Sequence, residues 1–159
     1  MALEFSSAGV KLKWKVESTK GTRPTSAYRV VPSIKSTPDF NAEPNNLDVT
    51  DFSDLVWKRS IPGLRDAGGA LAFTANLTKL FKDEWASCVS AAVAAKASDL
   101  STWFEVEVPD FGSFFFTGMP IELGLKAMDV DSVVEADGYI VPNSISGWLT
   151  SSTSSVTPS

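Results

Sequence analysis

Residues 79–108 read KLFKDEWASCVSAAVAAKASDLSTWFEVEV, and along this stretch the hydrophobic period changes from that of a helix to that of a strand. In the first two thirds Ala is abundant, Gly and Pro are absent, and larger apolar residues recur every three or four positions. Thr78 or Asn76 is suited to cap the start. We therefore predict a helix over about 79–97, followed by a strand over 103–108 in which every second residue is apolar.

Period-two alternation indicates strands in the rest of the chain. The predicted strands lie at 11–17, 27–34, 46–57, 70–76, 114–117, 121–125, 130–136 and 139–141. Pro32 makes 27–34 an edge strand or a strand end, because proline donates no ladder hydrogen bond. The Gly- and Pro-rich segment 61–69 is predicted to be a connection, and Asp137-Gly138 a hairpin turn. The sequence thus predicts a mainly β fold, a sandwich or barrel of about eight strands with one flanking α-helix at about 79–97.

The length of 159 residues fits a single domain. We assign 1–150 to one β domain with an N-terminal arm at about 1–10. A long loop at about 32–46 contains three prolines and few anchoring residues. Residues 151–159 are seven Ser or Thr with Val156 and Pro158, and are predicted to be a flexible tail because they cannot build a core.

The composition excludes several classes of chemistry. With no histidine and one cysteine, the chain cannot form a Ser-His-Asp site, a Cys-His site, a His-containing zinc site or an intrachain disulfide. The net charge of −5 argues against a basic groove that grips nucleic acid. No apolar run is long enough for a signal peptide or a membrane span, so we expect no membrane anchor. These counts point to a non-catalytic globular protein without saying which, and we expect no cofactor and no metal.

The charge is unevenly distributed along the chain. Residues 1–35 carry seven basic and two acidic side chains, a net charge of +5, whereas residues 36–159 have a net charge of −10. The segment 99–137 alone holds nine acids and one base. Such polarity is typical of self-association or of a field shaped for a charged partner.

Glu105 and Glu107 form the closest approach to a catalytic carboxylate pair. On a strand they share one face about 6.5–7 Å apart, near the spacing of glycosidase carboxylates. Alternating acids are nevertheless ordinary on a solvated strand face, and two similar environments do not split the two pKa values as acid–base catalysis requires. We therefore interpret both residues as structural.

Two further groups have plain interpretations. Asp48, Asp51 and Asp54 suggest a calcium loop but lack the glycine and terminal glutamate of an EF-hand. Gly68 and Gly69 precede no Gly-Lys-Ser/Thr motif, which makes them turn residues and not a phosphate cradle. We assign no catalytic, cofactor-binding or metal-binding residue.

Cys88 and the tryptophans are predicted to serve packing. Cys88 lies on the apolar face of the predicted helix, which favours a buried, inert thiol. The chain contains five tryptophans: Trp14, Trp57, Trp85, Trp103 and Trp148. As a platform they would suit sugar stacking, but four are in phase with neighbouring core residues, which favours core or subunit-interface packing.

Several pieces of the chain occur in a recognisable order. They are STPDF (36–40), EP (43–44), LDVTDFSD (47–54), IPGLRD (61–66) and LAFTANLT (71–78). Together they resemble the major tail tube proteins of long, non-contractile-tailed bacteriophages. GVKLKW (9–14) is similar to the opening strand of such proteins, and YIVPN (139–143) with GW (147–148) to their closing segment. The resemblance spans about residues 5–149, and the Ser/Thr-rich end is not something that the family requires.

The resemblance implies a β-sandwich or barrel with a flanking helix, and a function. Six copies would form a ring, and rings would stack into the hollow tail tube of the virion around a tape measure protein, whose departure lets the genome pass to the host. The implied partners are further copies of the chain, the tape measure protein, the tail terminator and distal tail or baseplate proteins, with assembly in the host cytoplasm. The loop at 32–46, the N-terminal arm and the tail are candidates for ring stacking.

The charge asymmetry gives this interpretation a further hypothesis. If part of the acidic stretch 99–137 faces the lumen, the wall repels DNA, which passes without sticking. The basic residues of 11–35 would then meet acidic surfaces of the next subunit or ring. Two alternatives stay open: a carbohydrate-binding β-sandwich module, and a tube protein of a contractile injection system.

Overall fold

The computed structural model describes residues 9–40, 44–53, 55–65, 70–109, 111–125 and 127–149. These residues form eight strands and one helix, in the order β1 (Lys11–Val16), β2 (Arg29–Val30), β3 (Pro44–Asp48), β4 (Ser60–Arg65), β5 (Leu71–Asn76), α1 (Lys79–Ala97), β6 (Thr102–Val108), β7 (Gly112–Pro120) and β8 (Glu135–Leu149). Six strands form one curled antiparallel sheet in the order β2-β1-β6-β7-β8-β5, and β3 and β4 form a separate two-stranded sheet. The mainly β fold with about eight strands and one flanking helix is confirmed.

The helix α1 has the bounds that its sequence predicts. Thr78 is the N-cap, and its hydroxyl accepts a hydrogen bond from the backbone N–H of Phe81 at 3.1 Å. The buried face of α1 consists of Phe81, Trp85, Cys88, Val89, Ala92 and Ala95. This face packs on the sheet, where the ring of Phe73 on β5 lies 5.0 Å from that of Trp85. The apolar residues that recur with helical period in the sequence are therefore the ones that contact the sheet.

The prediction of a hairpin turn at Asp137-Gly138 is wrong. Both residues lie inside β8, and Gly138 is the register partner of Phe73 on β5. A Cβ added at Gly138 would lie 2.2 Å from the Phe73 ring. The glycine is therefore required by an aromatic ring on the neighbouring strand, a long-range cause that a local turn rule does not contain.

Three other strand predictions are corrected. β3 ends at Asp48, so the predicted strand does not continue to residue 57. The supposed connection at 61–69 contains β4, where Pro62 is tolerated because both strands of a two-stranded sheet are edges. The described residues of 121–134 form no strand, although alternation predicts strands at 121–125 and 130–136. Alternation without a partner strand is not sufficient to form a ladder.

The first part of the predicted long loop at 32–46 is well anchored. Ile34 makes an isolated β-bridge to Ala75, and the ring of Phe40 lies 4.7 Å from Phe114 and 4.6 Å from Phe116. The expectation of few anchors is therefore wrong. As Pro32 predicts, the strand before it is short and lies at the sheet edge. No helix among the described residues is long and apolar enough to cross a membrane.

Candidate assembly surfaces

The two candidate catalytic carboxylates are engaged within the fold. Glu105 is fully buried, and its carboxylate accepts a hydrogen bond from the Ser113 hydroxyl at 2.5 Å. Glu107 forms an ion pair with Lys13, which is itself buried. The prediction that these acids lie on a solvated strand face is wrong for Glu105. Both carboxylates stabilise the sheet face opposite α1.

A strap formed by residues 17–28 packs on this second face. The Glu17 carboxylate accepts hydrogen bonds from the Trp103 indole at 3.0 Å and from the Ser101 backbone N–H at 2.9 Å. Burial raises the pKa of Glu17, but the hydrogen bonds from Trp103, Ser101 and the Gly21 backbone, with the nearby Lys20 charge, together outweigh it, so the pKa lies below its ordinary value. The Arg23 guanidinium lies 4.4 Å from the centre of the Phe115 ring. The strap therefore covers the sheet face opposite α1, so both faces of the sheet carry buried residues there.

The aspartates of the predicted calcium group serve local turns. Asp48 accepts a hydrogen bond from the backbone N–H of Thr50 at 2.9 Å, and Asp51 from that of Ser53 at 2.8 Å. Asp54 lies outside the described residues, as do Gly68 and Gly69. No group of three or more His, Cys, Asp or Glu side chains within the described part of the chain is arranged to hold a metal ion.

The prediction for Cys88 is confirmed and that for the tryptophans holds in part. Cys88 is fully buried, and burial raises the pKa of its thiol. Trp14, Trp85 and Trp103 are buried, but 81% of Trp57 and 57% of Trp148 are exposed.

Trp148 does not belong to a flat aromatic platform. Its ring meets those of Phe111 and Phe114 at 82° in both cases, with centroids 5.1 Å and 5.5 Å apart. A sugar stacks on a flat ring face, whereas these three rings present edges and faces alternately. The arrangement favours a protein contact over a sugar-stacking surface.

The second half of β8, residues 141–149, is the first uncovered surface. β5 pairs with β8 up to Ile140, and in the described residues no strand pairs with that edge of β8 beyond it. The other edge pairs with β7 through two irregularities, between Phe115/Phe116 and between Thr117/Gly118. Every residue of 141–149 is at least partly exposed. Among the residues that the structure describes, this free half of β8 therefore presents a strand edge without a partner strand, together with partly exposed apolar side chains such as Ile145.

The hairpin β3–β4, residues 44–65, is the second uncovered surface. In the described residues its strands pair with each other and with no strand of the six-stranded sheet. Large apolar side chains are exposed along it: Leu47, Val49, Phe52, Leu55, Val56, Trp57 and Ile61. So many exposed large apolar side chains within one hairpin make it a candidate interaction surface.

The basic N-terminal region is largely neutralised within the chain. Four of its bases form ion pairs with acids of the same chain: Lys13–Glu107, Lys20–Asp99, Arg29–Glu84 and Lys35–Glu135. We expected these bases to meet acids of another subunit, but these four pair with acids of their own chain. The ion pairs connect β1, the strap, β2 and the loop after β2 to the rest of the fold. The +5 of the sequence is not a free basic surface.

The same ion pairs reduce the number of unpaired acids in the stretch 99–137. Asp99, Glu107 and Glu135 are neutralised by the pairs above, and Glu105 is buried. The exposed acids of the described residues in 99–137 that remain outside these ion pairs include Glu122, Asp129 and Asp131. All three lie in one segment, 121–134, that follows β7.

Sequence reasoning did not find either uncovered surface. The connection between β3 and β4 contains FSDLVWK at 52–58, whose apolar residues continue the alternation of β3, so the sequence predicts a strand there. A signal against that strand is present, because Asp51, Asp54 and Pro62 interrupt the apolar residues. The free half of β8 has no local signal, since its exposure depends on the length of β5.

Comparisons with known proteins give similarity of fold. No family model and no curated protein matches the sequence. The chain is similar to one in the cryo-EM structure of the anti-feeding prophage (AFP) baseplate, 6-fold symmetrised, with TM-score 0.58, 8% identity, and coverage of 94% of this chain and 98% of that one. It is also similar to a chain in the tail of an empty GTA particle computed with C6 symmetry, with TM-score 0.50, 15% identity, and coverage of 87% and 94%.

Proposed function

We propose that the chain is a structural tail protein of a virion that forms hexameric rings, and that the rings stack into the hollow tube through which DNA is delivered. The observation that carries this proposal is the free half of β8, where one strand edge has no partner strand among the described residues and every residue is at least partly exposed. Exposed strand edges of this length are normally covered, so a partner strand is expected. The chain is similar in fold to chains of six-fold symmetric baseplate and tail assemblies, which supports a ring in which the partner strand comes from the neighbouring copy.

Ring closure requires a second edge on the same chain. The opposite end of the six-stranded sheet is β2, a strand of two residues that pairs with Lys13 and Trp14 of β1. Val31 also donates to the Leu12 carbonyl oxygen, so on that side the two ends of β1, at Lys11 and at Lys15–Val16, pair with no named strand within the described residues. Pairing the β1–β2 end of one copy with the free half of β8 of the next is a head-to-tail contact, which closes into a ring when the rotation from copy to copy completes a circle.

The proposed tube has no catalytic task, and its partners follow from its place in the tail. The ring stack would surround the tape measure protein and meet the tail terminator at one end and distal tail or baseplate proteins at the other. Glu122, Asp129 and Asp131 would repel DNA if their segment faces the lumen. Their neutralisation is then expected to leave the tubes intact and to slow genome delivery.

The tube protein of a contractile injection system is the second candidate. The observation that favours it is the higher TM-score with the AFP baseplate chain than with the GTA tail chain. Both candidates are tube proteins and are expected to polymerise into a long stack of rings. A protein specialised for the baseplate end would instead stop at one or two rings.

The test uses the full chain and charged substitutions on the free half of β8. Val141→Lys and Ile145→Lys each place a charge on an exposed strand position, so folding is retained while edge pairing is lost. Ser87→Lys, at an exposed position on α1, is the matched control. The two substitutions are combined in one double variant. Sedimentation and negative-stain microscopy are expected to show six-fold rings or tubes for the unmodified chain and for the control, and monomers for the double variant. Unchanged assembly of the double variant would overturn the proposal.

A further inference from the structure

The register between β7 and β8 leaves two extra residues in the free half of β8. At two places β8 advances by two residues where β7 advances by one, and the extra residues are Asn143 and Ser146. Each is a β-bulge, which bends the strand that carries it and increases its twist. Pairing with β5 ends at Ile140, so both bulges lie in the half of β8 that has no strand partner on that side among the described residues. The uncovered edge of β8 is therefore bent twice.

A glycine lies at each bend. Gly147, the residue after Ser146, has a φ of +81°, a left-handed conformation that residues with a side chain rarely adopt. Gly118 of β7 lies at the first bend, where an added Cβ would be 2.8 Å from the carbonyl oxygen of Val141. The sequence therefore permits the special backbone geometry that both bends require.

The bulge at Ser146 also determines which apolar side chains share a face. Ile145 pairs with Phe116 and Trp148 with Phe114, and paired residues of neighbouring strands point to the same side of the sheet. In a regular strand every second residue shares a face, so residues three positions apart do so only when an extra residue lies between them. Ile145 and Trp148 are 46% and 57% exposed. The bulge therefore places two exposed apolar side chains together beside the uncovered edge.

Pro142 makes the same edge less suitable for regular pairing. Proline has no backbone N–H and donates no hydrogen bond to a strand on either side. Bulges and prolines are features that protect exposed strand edges from unspecific pairing with other chains. A flat, regular strand can therefore pair with this edge over only a few residues, whereas a short and bent partner edge loses little.

The β1–β2 end, the proposed partner in the ring, is an edge of that kind. β2 has only two residues. Ala27 before it and Ser33 after it have φ values of 63° and 64°, which interrupt the extended backbone on both sides. The two edges that the proposed ring brings together are therefore both short and irregular.

We infer that the bulges at Asn143 and Ser146 make the ring contact selective. They exclude the regular strand pairing through which exposed edges aggregate, and they admit the bent β1–β2 end of the next copy. This inference rests on the proposed function, since it names what limits pairing of the free half of β8 to the ring contact.

Single-residue deletions in the full chain test the inference. Deletion of Asn143 or of Ser146 removes one bulge and is expected to keep the other β7–β8 pairs in register. Both residues are exposed, so no core side chain is lost. Asn143→Ala and Ser146→Ala are the matched controls, because they change the same side chains and keep the extra residue. Urea unfolding followed by tryptophan fluorescence reports folding, and negative-stain microscopy with thioflavin T fluorescence reports assembly.

Both deletion variants are expected to fold, to lose the six-fold rings and to form irregular or fibrous aggregates with increased thioflavin T fluorescence. The alanine controls are expected to form the rings of the unmodified chain. Six-fold rings, or folded monomers, from both deletion variants would overturn the inference and leave the proposed function standing. Loss of folding in both would also overturn it, because the bulges would then serve the fold of the single chain. Failure of the unmodified chain to form rings would instead overturn the proposed function, and the inference with it.

Discussion

The sheet body and the hairpin use the same kinds of residue in opposite ways. In the body, Phe73, Phe81 and Trp85 are almost completely buried, with ring centroids 5.0–6.3 Å apart. In the hairpin, Phe52 and Trp57 are exposed. The aromatic residues of the body therefore stabilise the fold, whereas those of the hairpin contribute little to it and are exposed to any partner that assembly brings. Substitutions in the body are therefore expected to lower the free energy of unfolding, whereas substitutions in the hairpin are expected to change assembly.

The largest expected effect is on the body. Trp85→Ala removes a side chain that is 1% exposed and contacts two aromatic rings, and is expected to lower the free energy of unfolding by about 3–5 kcal/mol. Phe52→Ala in the hairpin is the matched comparison, with an expected change within about 0.5 kcal/mol. Urea unfolding followed by tryptophan fluorescence measures both. Similar losses in the two variants would remove the distinction between the regions.

The next effect concerns the glycine that lies under Phe73. Gly138→Ala forces the Phe73 ring or the β5–β8 ladder to move and is expected to cost about 1–3 kcal/mol. Gly124→Ala is the control, because no heavy atom lies within 4 Å of the added Cβ. Thermal unfolding of the two variants is the measurement. A neutral Gly138→Ala would show that the close approach to Phe73 is not required.

A smaller effect is expected at the start of α1. Thr78→Ala removes the hydroxyl that accepts from the Phe81 N–H and is expected to cost about 1 kcal/mol. Thr78→Ser keeps the hydroxyl and is expected to retain most of the stability. If the two variants unfold at the same denaturant concentration, the cap does not contribute.

The smallest effect depends on pH. The pKa of Glu17 lies below its ordinary value, so its hydrogen bonds to Trp103 and Ser101 stabilise the fold above the unfolded pKa, near pH 4.5, and this contribution is lost as the pH falls through the folded pKa. Glu17→Gln is expected to flatten the decline in unfolding free energy below about pH 4.5. Glu122→Gln, at an exposed position, is expected to keep the decline of the unmodified chain. Equal slopes for the chain and Glu17→Gln would contradict the role of this carboxylate.

The sequence was informative where structure is set locally. The helical period and the Thr78 cap determine α1, because both act within one or two turns of the chain. The alternation of 102–108 predicts β6 correctly because partner strands are present on both of its edges. The sequence was uninformative where the cause lies far along the chain. Gly138 depends on Phe73, and the burial of Glu105 depends on Ser113 and on the strap at 17–28.

The candidate surfaces follow the same rule. The sequence does not distinguish an exposed apolar residue from a buried one of the same type. The alternation pattern therefore places Phe52 and Trp57 in a strand of the body, as it does the core residues. Charge counts misled in a similar way. The +5 of residues 1–35 suggested a free basic surface, but Lys13, Arg29 and Lys35 have partners 94, 55 and 100 positions away. Only the three-dimensional pairing distinguishes a neutralised charge from an available one.

Hydrogen exchange of the dilute and the concentrated full chain tests the central claim most directly. If the uncovered regions exist for assembly, amides of 141–149 and of the hairpin 44–65 gain protection when rings or tubes form. Amides of β5 and α1, which are already packed in the body, keep the same protection in both states. Protection gained in β5 and α1, with none in the hairpin and the free half of β8, would contradict the account.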